Sequence, residues 1–439
     1  MARVSAVVRH HGGVSDLIDE LLARGLVADH TDLEALRAEL AAGPVTLYCG
    51  FDPTAPSLHL GNLIQLLTVR RFQLAGHLPL ALVGGATGLI GDPKESGERS
   101  LNGAQTVTEW SQRIRSQAER FLDFDGPSAA HIVNNYEWTR ELSAIALLRE
   151  VGKHFSVNRM LDREAVRARL AGNGISFTEF SYQLLQANDY LELHERHGCR
   201  LQTGGSDQWG NLTAGVDLVR RVTGEHVHAL CTPLLTKADG TKFGKTEAGT
   251  VWLDPELTSP YAFHQFWINA DDRDVPSLLR TFSFRDLEEI AELERATAER
   301  PRAREGQRAL ADEVTALVHG EEQARAARNA AAALFGRGDL ASLPADTLTA
   351  ALLEAPNAEM SAAEIAGEPW PAVSELLARC GVVASRGAAR RAIKEGGAYL
   401  NNERVTDEDA RPSAADVLPG GWLVVRRGRK TMGGIRLPS

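Results

Sequence analysis

Apolar residues return at helical spacing at Val14, Leu17, Ile18, Leu21 and Leu22 and stop at Gly25, which predicts an amphipathic first helix. Thr31 with Glu34 three residues later reads as a capping box opening a second helix, which Gly43 and Pro44 end. The apolar run 45–49 predicts a short buried strand. After a polar loop, Leu60, Leu63, Ile64, Leu67 and Leu74 mark a long helix, and residues 79–83 form the next strand. Strand, loop, helix and strand in this order make a βαβ unit, whose ligand sites lie at the carboxyl ends of the strands. Further strands are predicted at 131–134, 200–203 and 227–230, with helical stretches between them. The fold class expected for the first half is therefore α/β, a Rossmann-like doubly wound catalytic domain over residues 1–256.

From about residue 261 to 335 Ala, Glu, Arg and Leu dominate without strand-like alternation, so residues 257–335 are expected to form a helical domain. Residues 336–372 contain Pro344, Pro356, Pro369 and Pro371 and read as a linker with one or two short helices. The remainder, 373–439, reads as a small α+β domain.

Composition narrows the class. A chain of 439 residues exceeds one hydrophobic core, and 43% apolar with 24% charged residues is ordinary globular usage. No run of eighteen apolar residues and no export signal is present, so no membrane contact is expected. The four cysteines, Cys49, Cys199, Cys231 and Cys380, are scattered and form no zinc or disulfide pattern, which suits a reduced, cytoplasmic protein. The net charge of −10 hides an asymmetry: residues 373–439 hold twelve basic against seven acidic residues, so a tail of +5 follows a body of −15.

Two loops carry candidate chemistry. His59, Leu60, Gly61 and Asn62 open a helix directly after the first strand of the βαβ unit. Free N–H groups and the positive end of the helix dipole favour phosphate there, and Gly61 lets a nucleotide approach closely. Residues 242–246, KFGKT, place two lysines around a glycine beside Asp239, Gly240 and Thr241. This reads as a mobile loop whose ammonium groups close over the β and γ phosphates as charge builds on leaving pyrophosphate. Alone, each pattern also fits a structural histidine or a solvated turn. Together, in this order, with GGSDQWGN at 204–211 between them, they point to nucleotide chemistry.

HLGN and KFGKT resemble the HIGH and KMSKS signatures of class I aminoacyl-tRNA synthetases. YCGFDPTAPSLHLGNL, LVGGATGLIGDP, VGKHFSVNRM, GISFTEFSYQLLQANDY and GCRLQTGGSDQWGN together resemble the bacterial tyrosyl-tRNA synthetases over most of residues 30–260. The resemblance implies activation of L-tyrosine by ATP to tyrosyl-adenylate and transfer to the 3′ end of tRNA(Tyr), with Mg2+ on the ATP phosphates and no prosthetic group. It implies that Tyr48 and Asp189 meet the substrate's phenolic hydroxyl, and that Asp92, Tyr182, Gln186 and Gln202 hold its ammonium group or line its pocket. Tyr182, Gln186 and Asp189 lie four and three residues apart, so one helix face presents all three.

For ATP, the family pattern places Gly50, Asp52, Thr54, His59 and Asn62 around the triphosphate, ribose and adenine. Gly204, Gly205, Asp207 and Gln208 complete the cradle, with Lys242, Lys245 and Thr246 on the mobile loop. Thr54, His59, Lys242 and Lys245 are the implied transition-state contacts. Asn62 departs from the family's second signature histidine, and KFGKT departs from KMSKS while keeping both lysines.

The stretch VSELLARCGVVASRGAARRAIKEGGAYLNNERV resembles the small RNA-binding domain of S-four type, with Arg386, Arg390, Arg391 and Lys394 clustered on its second predicted helix. Arg426, Arg427, Arg429 and Lys430 follow. Phosphate contact with tRNA and a homodimer are the implied partners. The rival readings are a tryptophanyl enzyme, which would lack the Tyr48 and Asp189 pair, a small-molecule nucleotidyltransferase, against which the basic tail argues, and a catalytically inactive RNA-binding regulator.

Overall fold

The computed structural model describes residues 16–93, 101–172, 174–241, 243–246, 249–367, 369–428 and 431–438. The chain divides into two compact units. The first holds the residues up to Asp254 together with Asp271–Ala298, the second Pro255–Ala270 together with Glu299–Ser439.

The first unit is built on six strands, β1 (Asp29–His30), β2 (Thr46–Phe51), β3 (Leu78–Val83), β4 (His131–Asn134), β5 (Cys199–Gly205) and β6 (His228–Thr232), in the order β1-β6-β5-β2-β3-β4. All neighbours are parallel except β1, which runs antiparallel to β6. The chain moves outward from β2 through β3 to β4, then returns to lay β5 on the other side of β2. The order therefore reverses between β2 and β5, which opens a crevice at their carboxyl ends.

Helix α1 (Leu17–Ala23) ends as expected, with Gly25 in the left-handed region at φ +70°. Helix α2 (Leu33–Ala42) starts one residue later than its sequence suggests. Its cap is Asp32, whose Oδ1 accepts the Ala35 N–H at 2.9 Å. Thr31 follows β1 and is drawn into the sheet edge, its hydroxyl accepting the Ala229 N–H at 3.1 Å. Helix α3 (Leu60–Leu74) is buried around nearly its whole circumference, including Arg70 and Arg71, and α4 (Ala104–Ala118) runs between β3 and β4.

Helices Val275–Phe282 and Leu287–Glu299, which composition groups with those that follow, pack instead with the first unit. Two buried guanidinium groups supply the reason. Arg71 Nη2 and Arg24 Nη1 donate to the Ser283 carbonyl at 2.6 and 3.0 Å, and Arg24 Nη2 to the Arg285 carbonyl at 2.7 Å. Val275, Leu278, Leu279 and Phe282 are buried around that anchor.

In the second unit, helices Pro260–Ile268, Glu305–His319 and Glu321–Leu334 form a helical layer. The hairpin strands β7 (Lys245–Thr246) and β8 (Gly249–Thr250) belong to the first unit. The second contains a five-stranded sheet, β9 (Asn357–Glu359), β10 (Ala398–Leu400), β11 (Glu403–Arg404), β12 (Trp422–Arg427) and β13 (Thr431–Arg436), ordered β11-β10-β12-β13-β9. Strand alternation puts this sheet between two cores. Leu423 and Val425 face Val373, Leu376, Leu377 and Cys380, whereas Trp422 and Val424 face Leu334, Leu348 and Leu352. The stretch expected to be a linker thus supplies a helix, Ala345–Leu353, that buries Leu348, Ala351 and Leu352, and a strand, β9, paired in parallel with β13. Among the described residues no helix is long and apolar enough to cross a membrane.

Candidate active site

The crevice is lined from β2 and from the helix Phe177–His197. Tyr48, on β2, is fully buried, its ring edge-on to Tyr190 at 5.2 Å between centroids, and its hydroxyl has no hydrogen-bond partner. Burial, and then the neighbouring Asp189, hold that phenol well above its ordinary pKa. Asp189 is likewise buried. Its Oδ1 accepts from Trp138 Nε1 at 2.8 Å and its Oδ2 from Asn135 Nδ2 at 2.9 Å. Burial pushes this carboxyl up to about 7, against the lowering effect of the two donors. An unpaired hydroxyl beside a well-held carboxyl is a site prepared for one more hydroxyl.

A hydrogen-bonded chain leads from this end of the crevice to the strand end. Asn135 Nδ2 also donates to Thr87 Oγ1 at 2.9 Å, Thr87 donates to Asp52 Oδ1 at 2.6 Å, and Tyr182 donates to Asp52 Oδ2 at 2.7 Å. Gly84 makes the arrangement possible, because a Cβ there would lie 1.9 Å from Asp52 Oδ1. Asp52, grouped by sequence with the ATP residues, therefore touches Tyr182, grouped with the tyrosine residues. Asn135, Trp138 and Thr87 escaped the sequence reading. The available signal was polar side chains just past the ends of β3 and β4, where a parallel sheet places its ligands.

Asp92 accepts from Gln208 Nε2 at 2.8 Å and from Asn211 Nδ2 at 3.2 Å, and Asn211 Nδ2 also meets Gln208 Oε1 at 2.8 Å. Gln208 thus meets Asp92 rather than standing apart in the ATP set. The enclosed Oε1 atoms of Gln186 and Gln202 have no hydrogen-bond partner. Buried acceptors without donors cost free energy, and a substrate ammonium group is the donor such a set can receive. The helix face expected to carry Tyr182, Gln186 and Asp189 holds two buried residues and one half-buried one.

At the start of α3, His59 is the cap, its Nδ1 accepting the Gly61 N–H at 3.0 Å. The neutral ring then carries its proton on Nε2 as a donor. Gly61 is required by the histidine itself, since a Cβ would lie 2.9 Å from His59 Cε1. Asn62 Oδ1 accepts the His59 N–H at 3.1 Å, so the residue that departs from the signature completes the cap. Gly50 and Thr54 are exposed at the end of β2 and just beyond it, and the Thr54 N–H is bound to the Asp52 carbonyl at 2.8 Å. Gly204 and Gly205 end β5 beside the exposed Asp207, where a Cβ on Gly205 would lie 2.6 Å from Asp207 Oδ1.

The lysine loop returns to this same helix end. Gly244, at φ +82°, packs so that a Cβ would lie 3.3 Å from Leu60 Cβ, and the Leu253 N–H binds the Leu58 carbonyl at 2.9 Å. Phe243 meets Phe282 in a tilted ring contact at 5.8 Å between centroids. Lys242 lies outside the described residues, as do the side chains of Lys245 and Thr246, whose backbone forms β7. The described parts of the two loops thus meet at the start of α3.

Residues 40–336 match the family description "tRNA synthetases class I (W and Y)". A tyrosine–tRNA ligase of Streptomyces avermitilis is 60% identical over 97% of this chain and 99% of its own length. One of Thermobifida fusca is 59% identical over 97% of this chain and 100% of its own. The chain belongs to the tyrosine–tRNA ligase family. Among solved structures, the C-terminally truncated mitochondrial tyrosyl-tRNA synthetase of Coccidioides posadasii is 30% identical, with a TM-score of 0.63 over 71% of this chain and 91% of that one. ATP is a substrate of the class I tRNA synthetases, which fits the helix-end and glycine cradle just described.

This tyrosine–tRNA ligase chain also matches the family's own C-terminal domain, described as tyrosine–tRNA ligase SYY-like, over residues 353–433. That match begins before β9, in keeping with the place of β9 in the sheet. On helix Arg386–Lys394, three of the four expected RNA contacts already have acidic neighbours. Arg390 meets Asp409 at 3.0 Å, Lys394 meets Glu408 at 3.0 Å and Arg386 meets Glu375 at 3.5 Å, while Arg391 is exposed. Arg429 and Lys430 lie outside the described residues.

Proposed function

We propose that the chain's ligation of tyrosine to tRNA is carried by Tyr48 and Asp189 at the phenol, by Asp92, Tyr182, Gln186 and Gln202 around the ammonium group, and by the two loops at the triphosphate. The observation that carries this reading is the partnerless, fully buried Tyr48 hydroxyl beside Asp189. A phenol satisfies both, and a phenylalanine leaves both unpaired.

The tyrosine carboxylate attacks the α-phosphorus of ATP in line, forming the acyl–phosphate bond as the bond to pyrophosphate breaks. The terminal ribose hydroxyl of tRNA(Tyr) then attacks the carbonyl carbon, and AMP leaves. The first nucleophile is already ionised, so the protein's contribution is placement and charge stabilisation. His59 donates from Nε2 to the phosphate oxygens. Thr54, Lys242, Lys245 and Thr246 complete the contacts to the departing pyrophosphate. Gly50, Gly204, Gly205 and Asp207 hold the ribose and adenine, with Asp52 and Gln208 between the two substrates and Asn62 holding the helix end. Mg2+ arrives with ATP, whose phosphate oxygens are its hard ligands.

Arg386, Arg390, Arg391 and Lys394 take the RNA backbone, the first, second and fourth exchanging their acidic neighbours for phosphate. A second copy of the chain covers the exposed Ile145, Leu148, Val157 and Phe177, the last 75% accessible, in a homodimer. Four free, buried cysteines support a reducing cytoplasmic location.

Single-turnover adenylate formation tests the assignment. His59→Ala and Lys245→Ala should slow the chemical step by roughly 100-fold or more while equilibrium tyrosine binding stays within about threefold. A loss confined to tyrosine affinity would overturn the roles given to both loops.

A further inference from the structure

On the sheet face away from Tyr48 lies a cavity of about 370 Å³ between α4 and the carboxyl ends of β3 and β4. Strand register turns most of its strand lining away from the cluster around Tyr48, although Val133 borders both. Val83 pairs with Asn134 and Ala81 with Ile132, and Val83, Ile132 and Asn134 line the cavity. Leu82 instead belongs to the cluster around Tyr48 and Tyr190 on the opposite face. The cavity walls are apolar at Val83, Leu89, Val107 and Ile132. Thr108, Gln112, Asn134 and Tyr136 line it as well, and beside them Ser111 Oγ, on a residue 8% exposed, has no hydrogen-bond partner.

Charge of both signs stands with it. Arg115 follows Ser111 by one turn of α4 and meets Glu119 at 3.0 Å, while Glu137 approaches from the chain after β4. We propose that this cavity is a second ligand site, for a free amino acid with an apolar side chain. Its side chain occupies the apolar walls, one carboxylate reaches both the Ser111 hydroxyl and Arg115, and the ammonium group faces Glu137. Each part answers an observation: an enclosed hydroxyl without a partner, an apolar volume, and opposite charges at one mouth.

The site is joined to the tyrosine pocket through one peptide unit. Asn134 lines the cavity, and the next residue, Asn135, donates to Asp189. Gly85 lets the two layers approach, since a Cβ there would lie 2.4 Å from Asn134 Oδ1.

L-phenylalanine is the probe, because the catalytic pocket has no partner in it for Tyr48 and Asp189. Calorimetric titration of the full chain, with tyrosine saturating the catalytic pocket, should still show one phenylalanine bound. Val107→Trp, which fills the cavity, should weaken that binding at least about tenfold, the scale of one lost apolar contact set. Glu137→Gln, on the surface, should weaken it about two- to fivefold while tyrosine-dependent pyrophosphate exchange stays unchanged. Absence of binding under saturating tyrosine overturns the proposal, and so does binding that neither variant alters. Should Val107→Trp fail to fold, Glu137→Gln with Ser111→Ala decides alone.

Discussion

Tyr182 donates its phenolic hydrogen to Asp52 Oδ2 at 2.7 Å, so a side chain from the helix Phe177–His197 and one just past the end of β2 share a carboxylate. On the proposed assignment, tyrosine and ATP are handled by one connected set of groups. Tyr182→Phe removes a hydrogen bond to an ionised acceptor, a loss of about 1.5–3 kcal/mol. The expected result is a fall of roughly 10- to 150-fold in kcat/KM for tyrosine, read from pyrophosphate exchange at varied tyrosine concentration. An effect on the KM for ATP alone would contradict the shared arrangement.

The raised carboxyl of Asp189 gives a pH dependence with a definite sign. Its ordinary value is 3.8 and its folded value about 7, so between these the folded protein keeps a proton that the unfolded chain releases. Stability contributed at this position is therefore full below about pH 4 and declines as pH rises through 7. Asp189→Asn should flatten the fall in melting temperature between about pH 5 and pH 8 relative to the parent chain. An equal slope in the two proteins would place the titrating group elsewhere.

Asn62 is expected to act on stability more than on chemistry. Asn62→Ala removes the acceptor for the His59 N–H and half of the cap of α3. A loss of about 1 kcal/mol follows, visible as a denaturant midpoint shift at unchanged slope. A collapse of adenylate formation without loss of stability would mean that the side chain acts on ATP instead.

Arg391 is the exposed member of the basic helix with no acidic neighbour among the described contacts. Arg391→Ala should weaken tRNA binding and lower the slope of log affinity against log salt by about 1. Titrations at several salt concentrations measure this directly. A change in affinity with the slope intact would speak against a phosphate contact.

Much of the catalytic fold was legible because the signals were local. Helix Leu60–Leu74 and strand His131–Asn134 lie where periodicity placed them, and the glycine stop of α1 needed only one residue. The groups behind Asp189 were not legible, since Asn135 reaches it across 54 positions and no spacing rule joins them. The same holds for β9, whose pairing with β13 brings Asn357 to Gly434. The shift of the α2 cap from Thr31 to Asp32 was a contest between a local motif and a sheet edge, and the sheet edge won.

The pocket's choice of amino acid is tested most directly by pyrophosphate exchange into ATP with each of the amino acids in turn. Exchange driven by tyrosine, with phenylalanine and tryptophan near background, is the predicted result. Silence with tyrosine, or equal exchange with phenylalanine, would contradict the assignment of Tyr48 and Asp189 to a phenol.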